Sequence, residues 1–272
     1  MAARVITITS GKGGVGKTTA TANIAVALAS LGKKVVCIDA DIGLRNLDVV
    51  MGLENRIVYD LVDVVEGRCK LRQAMVKDKR VPDLYLLPAA QTRDKTAVSP
   101  QDMVALTNQL RADYEYILID SPAGIEWGFR NALAPADEVV VVTNPEVSAV
   151  RDADRIIGLI EADQRRVPPS LILNRIKLEM IRRGDMLSVN DVLEILSTRL
   201  LGVIPEDESI LISSNRGAPL ALDEQHTPAG DAFMNIARRL MGEKIPLLEI
   251  QERDGFIRRL LRIFRPSNNA PK

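Results

Sequence analysis

Residues 5–18 read VITITSGKGGVGKT. A short apolar, β-branched run, Val5–Thr9, leads directly into Gly11-Lys12-Gly13-Gly14-Val15-Gly16-Lys17-Thr18, and an alanine-rich stretch follows. This is the GxxxxGK[ST] spacing with a strand before it and a helix after it, the context in which that spacing binds phosphate. The glycines let backbone amides curl around phosphate oxygens, and a helix starting at Lys17 adds the positive end of its dipole. Lys17 is expected to reach the β- and γ-phosphates of a nucleotide, and the Thr18 hydroxyl to reach Mg²⁺. With Thr19, the run from Gly11 is the expected nucleotide cradle.

Outward from this motif, apolar runs alternate with helical patterns. Expected strands are Val5–Thr9, Lys34–Asp39, Leu84–Leu87, Tyr116–Asp120, Glu138–Thr143, Leu171–Asn174 and Leu201–Ile204. Expected helices are Lys17–Leu31, Gln101–Ala112, Ser148–Glu161, Ser188–Leu200 and Pro228–Met241. Runs such as VVCID, YILID and VVVVT are apolar throughout, as in strands covered on both faces. Ser188 followed by Asp191 reads as a capping box. The alternation predicts an α/β fold: a doubly wound, mostly parallel sheet with helices on both faces, of the P-loop NTPase kind. Ligands of such folds sit at strand C-terminal ends. Tyr116–Asp120 has the form of a Walker B strand, so Asp120 is expected to hold Mg²⁺, through a water. A second strand ends in Asp39-Ala40-Asp41, where either carboxylate could organise the metal shell or position an attacking water.

Composition narrows the chemistry. The 272 residues contain 36 basic and 36 acidic side chains but a single histidine, His226. That argues against a Ser-His-Asp triad, a multi-histidine metal site or an HExxH zinc motif. Cys37 and Cys69 form no CxxC, and two scattered thiols suit a reducing compartment. No signal peptide precedes the first strand and no 18-residue apolar run is present, so the protein is expected to be made in the cytosol and to stay on that side.

The zero net charge is unevenly spread. The last 18 residues hold five bases and no acid, against 31 bases and 36 acids in the rest. The polar QERDG segment reads as a linker, giving a domain over residues 1–250 and a tail over 251–272. Within the tail, Phe256, Ile257, Leu260, Leu261, Ile263 and Phe264 fall in one arc of about 160° on a helical projection. Arg258, Arg259, Arg262 and Arg265 fill the opposite side. Asp254 would cap this C-terminal amphipathic helix and Pro266 would stop it. The pattern fits a helix lying in an anionic phospholipid interface.

Lys12, five residues before Lys17, makes KGGVGKT a deviant Walker A motif. The chain thereby resembles the MinD/ParA family of P-loop ATPases. DADIGLRNLD, LPAAQTRDK, DSPAGIE, TNPEVSAVRDADR, RGDMLSVNDVLEIL and GVIPEDESIL are similar to the septum-placing branch of that family, across nearly the whole chain. The resemblance implies that Lys12 crosses an ATP-dependent homodimer interface to the partner's phosphates and acts in catalysis with Lys17. It implies that Asp41 activates water beside Asp39 of the Mg²⁺ network, and that Asn46 and Gly124 lie in switch segments. Asn174, Arg175, Pro205 and Asp207 match positions that hold adenine. Arg93, Asp94, Glu126, Ser148, Asp152 and Asp154 match a docking face shared by a MinC-like inhibitor and a MinE-like activator. The function implied is an ATPase that binds the inner membrane as an ATP dimer, recruits a division inhibitor and is released on hydrolysis, with no specific nucleic acid. The nearest alternative, a ParA-type DNA-partition ATPase, would spread its excess base over the folded surface. A metabolite kinase or a scaffold with structural ATP would have less use for the tail or for Asp41.

Overall fold

A computed structural model describes residues 3–163, 167–223 and 226–247. Its core is one eight-stranded sheet: β1 (Arg4–Thr9), β2 (Val35–Asp39), β3 (Val76–Lys77), β4 (Leu84–Leu87), β5 (Tyr116–Asp120), β6 (Glu138–Thr143), β7 (Ser170–Ile176) and β8 (Arg199–Pro205). The strand order is β3-β4-β2-β5-β1-β6-β7-β8, parallel throughout except for the antiparallel β3–β4 pair. The chain therefore reverses direction across the sheet on either side of β1, the crevice where doubly wound folds bind ligands.

Alternate residues of the central strands feed two cores. Ile6, Ile8, Val35, Cys37, Leu118, Val140 and Val142 face one side. Val5, Val36, Ile38, Ile117 and Ile119 face the other, continued by Val139 and Val141. All are essentially inaccessible, which is why these strands read as continuous apolar runs rather than as alternating ones. The first side is covered by the Lys17–Ser30 and Pro228–Leu240 helices. Lys17–Ser30 is buried almost all round from Ala20 to Ala29, and its alanines let it lie close to both sheet and neighbour. The Pro100–Leu110, Val147–Glu161 and Val189–Leu196 helices cover the second side.

The structure moves the boundary between the Ser188 helix and the strand after it, and adds a strand and several short helices. The Ser188 capping box is present, but its helix ends at Leu196 rather than Leu200. Ser197 takes a left-handed φ of 46° and ends the helix, and Arg199–Leu200 pair with Ser170–Leu171 as the start of β8. Ladder pairing there overrides a helical pattern of the apolar residues. β3, only two residues long, carries no periodicity that a sequence could show, and it extends the sheet to an antiparallel edge. The expected boundary at residues 250–251 lies outside the described residues.

Phe233, 1% exposed between the Pro228–Leu240 helix and the sheet, anchors the first side. Phe233→Ala is expected to cost about 3–5 kcal/mol in urea unfolding of the nucleotide-free protein. Ser188→Ala, which removes only a cap, should cost about 1 kcal/mol. Similar small losses for both would show that this helix does not close the core.

Candidate active site

The β1 tip, the Gly11–Gly16 loop and the start of the Lys17 helix form one cradle. Gly14 and Gly16 take positive φ values of 79° and 92°, which side-chain-bearing residues adopt only with strain. The loop is knitted to the segment after β5: Ser121 N donates to the Ile8 carbonyl at 3.1 Å and Gly124 N to that of Ser10 at 3.0 Å. Gly124, itself at φ 89°, is thus tied to the residue from which the loop leaves β1.

Register then assembles the charges. β5 lies between β1 and β2, and Asp39 and Asp120 are direct partners at the strand tips. The Lys17 ammonium reaches Asp120 Oδ1 at 2.9 Å, with side-chain exposures of 8% and 1%. Thr18 Oγ1 donates to Asp120 Oδ2 at 2.7 Å. Thr21, which sequence reasoning missed, donates to Asp120 Oδ1 at 3.2 Å and to the Lys17 carbonyl at 3.0 Å. One helical turn from Lys17, it could have been found from the i, i+4 spacing alone.

Asp39 is fully buried and accepts hydrogen bonds from Asp41 N at 2.9 Å and Leu47 N at 3.2 Å. Burial, reinforced by the neighbouring Asp120 charge, pushes its carboxyl up to about 7. Asp41 is half-buried; burial also raises its carboxyl, while Lys17 pulls it back down. These oxygens suit a hard cation. Mg²⁺ is commonly held by one or two protein oxygens and completed by water and phosphate. Thr18 and Asp120 fit that role directly, with Asp39 behind them.

Lys12 behaves differently from Lys17. Its ammonium lies 3.2 Å from Ser148 Oγ and 3.6 Å from Glu146 Oε2, and it is 43% exposed. Ser148, expected in a docking face, is therefore also part of the P-loop surround. So is Asp152, whose backbone packs so tightly on Gly11 that no side chain would fit there. Glu146 was missed, since an acid just before a helix carries no signal of its own. Asp154 is exposed on the same helix, Glu126 precedes the Trp127–Leu133 helix, Arg93 lies 3.8 Å from Glu66, and the Asp94 carboxylate accepts from Thr96.

The segments expected near adenine flank the cradle. Asn174 is buried, with Nδ2 donating to the Val15 carbonyl at 2.7 Å. Arg175, at φ 58°, lies 3.9 Å from Glu206, and both line a cavity of about 410 Å³ together with Pro145, Glu146 and Met186. Pro205 ends β8, and Asp207 caps the Glu208–Asn215 helix by accepting from Ser209 N at 2.9 Å. Asn46 is exposed just before the short Leu47–Val50 helix, where Arg45 pairs with the buried Asp48 at 2.8 Å. The tail residues, Phe256 to Arg265, lie outside the described residues.

An AAA domain family model matches residues 3–173. The septum site-determining protein MinD of Bacillus subtilis is 55% identical over 250 residues, covering 92% of this chain and 93% of the relative. This chain belongs to the MinD family. Among solved structures, that of the MinC:MinD cell division protein complex from Aquifex aeolicus matches with 54% identity and a TM-score of 0.84, covering 90% of this chain and 98% of that one. MinD from Pyrococcus horikoshii, complexed with Mg-ADP, matches at 31% identity with a TM-score of 0.79, covering 89% and 100%. Like the rest of the MinD family, this protein is a P-loop ATPase of the septum site-determining kind, and ATP and Mg²⁺ are its nucleotide and metal. Among its described residues no helix is long and apolar enough to cross a membrane.

Removing Asp120 strands the buried Lys17 ammonium. Asp120→Ala is expected to cost about 3–5 kcal/mol in the nucleotide-free protein, with part regained when ATP is added, because phosphate oxygens take over as the lysine's partners. Thermal melts with and without ATP check this; an equal loss in both would show that phosphate does not replace the carboxylate.

Proposed function

We propose that the protein dimerises around ATP, attaches to the inner membrane through its C-terminal tail, and helps place the division septum by presenting a division inhibitor there until hydrolysis releases it. The observation that carries this reading is the division of labour between the two lysines. Lys17 is buried in the phosphate seat with Asp120. Lys12 lies at the exposed rim, beside Glu146 and Ser148. A phosphate seat that already has its lysine leaves the second one available for the seat of another copy. That both lysines act in catalysis follows from where charge develops: terminal phosphoryl oxygens gain it as the bond to the leaving group breaks.

The remaining roles rest on placement. Gly11 to Thr19 cradle the phosphates; Thr18, Asp120 and Asp39 hold and support Mg²⁺. The half-buried Asp41 orients the attacking water, and Asn46 and Gly124 report whether the terminal phosphate is present. Asn174, Arg175, Pro205 and Asp207 form the base side of the site. Arg93, Asp94, Glu126, Ser148, Asp152 and Asp154 serve a MinC-like inhibitor and a MinE-like activator; the Aquifex complex of MinC with MinD supports the first.

The tail supplies the membrane step. Its arginines contribute about 1 kcal/mol each near anionic lipid, and one amphipathic helix of this size binds weakly and reversibly. Two tails on one dimer make the second insertion intramolecular, which raises avidity by about 10²–10⁴. Nucleotide state thereby controls attachment without any direct contact between ATP and lipid.

Full-length protein is expected to sediment with anionic liposomes in the presence of a nonhydrolysable ATP analogue and to stay in solution with ADP. Phe256→Asp should abolish the difference; retention of ATP-dependent sedimentation would remove the tail from the mechanism. Lys12→Ala should bind ATP yet remain monomeric by light scattering, and a dimer would contradict the crossing lysine. Asp41→Ala should cut phosphate release by about 10²-fold or more while leaving the ATP dimer intact, whereas unchanged turnover would assign water activation elsewhere.

A further inference from the structure

Two helices leave the nucleotide site from its two sides. Leu47–Val50 starts where Leu47 N is bonded to Asp39 Oδ2, on the phosphate side. Glu208–Asn215 starts at its cap Asp207, on the base side. Their far ends meet. Gly52 and Gly217, which follow them at φ 63° and 60°, are in such close backbone contact that neither position has room for a Cβ.

One side chain fastens that meeting point. Arg80 Nη1 donates to the Gly217 carbonyl at 2.7 Å and Nη2 donates to the Met51 carbonyl. The guanidinium is aimed by Asp78, 1% exposed, which accepts from Arg80 Nε at 3.0 Å and Nη2 at 2.7 Å. Asp78 is fixed in turn by the β3–β4 hairpin, its amide donating to the Leu84 carbonyl at 2.9 Å. A planar fork with five donors can satisfy a carboxylate and two carbonyls at once; an ammonium cannot hold all three in this geometry. The Asp39 and Asp207 ends are thus linked through two short rigid helices and one clamp.

We propose that Arg80 is a positioning residue that couples the base side of the nucleotide site to its phosphate side, so that the identity of the base governs the rate of hydrolysis as well as the strength of binding. This rests on the placement of the base near Pro205 and Asp207 proposed above. Without the clamp, the Leu47 helix and the Asp41–Asn46 segment before it settle independently of whatever sits against the Asp207 helix. The base then contributes to binding alone.

Steady-state phosphate release by the full chain on anionic vesicles, with Mg-ATP and with Mg-GTP, tests the coupling. In the wild type GTP should raise KM and also lower kcat by about tenfold, in the range that packed elements transmit. In Arg80→Ala and Arg80→Lys the KM preference for ATP should persist while the kcat ratio between the nucleotides falls to about one, a separation that a general loss of stability would not produce. Arg80→Lys keeps a cation on the buried Asp78 and so preserves the fold if Arg80→Ala does not; Lys79→Ala, next to the clamp, should behave as wild type. A folded Arg80→Lys protein whose kcat still depends on the base overturns the inference, as does a wild type whose kcat does not. An ATP preference in KM that survives Asp207→Ala instead overturns the base-side assignment beneath it.

Discussion

A lysine ammonium and a carboxylate, both buried at the end of a parallel sheet, set the terms for everything around them. Lys17 and Asp120 cannot be solvated where they sit, so each depends on the other at 2.9 Å. Such a pair adds little net stability compared with apolar residues of the same size. Its presence at the mouth of the P-loop keeps the Lys17 ammonium aimed at the Gly11–Gly16 loop. Thr18 and Thr21, both donating to Asp120 oxygens, hold the carboxylate in place. Asp39, one strand over, has its carboxyl raised by burial and by the neighbouring Asp120 charge, a cost of crowding two acids at the strand tips that a bound divalent cation would relieve.

Much of this was legible before any coordinates. The P-loop, the Walker B strand and the fully buried β-branched strands carry strong local signals, and the register of β2 on β5 turned two separate strand-terminal aspartates into neighbours. What could not be read has identifiable causes. β3 is too short for a period, and the Val189–Leu196 helix stops because a neighbouring strand competes for Arg199 and Leu200. Glu146 and Ser148 engage Lys12 through a contact that spans more than 130 residues. Arg80 lies in an unremarkable loop sequence, and its distant partners, Met51 and Gly217, are met through their backbone carbonyls, which no side-chain pattern reveals. Long-range contacts to backbone are the class of interaction that a single sequence hides best.

The site also explains a compositional oddity, the single histidine. Backbone amides, two lysines, hydroxyls and aspartates around a magnesium nucleotide suffice for transfer of a phosphoryl group to water. In the mechanism proposed above, the one water that must lose a proton is served by the half-buried Asp41 carboxylate. His226, exposed and beside Asp231 at 3.0 Å, lies at the start of the Pro228–Leu240 helix and belongs to its local surroundings.

The sheet's two rims deserve a different reading from its centre. An open sheet exposes unpaired backbone groups at both outer strands, and those groups recruit strands from other molecules. Here one rim is a two-residue antiparallel stub ending in the exposed Lys77. At the other, the Leu201 carbonyl of β8 is taken by Arg239 at 3.0 Å. A protein that gathers on a surface meets its own kind far more often than one dispersed through a volume. Blunted rims keep encounters between copies of a chain reversible, so that crowded molecules can part again instead of being stitched into a fibril.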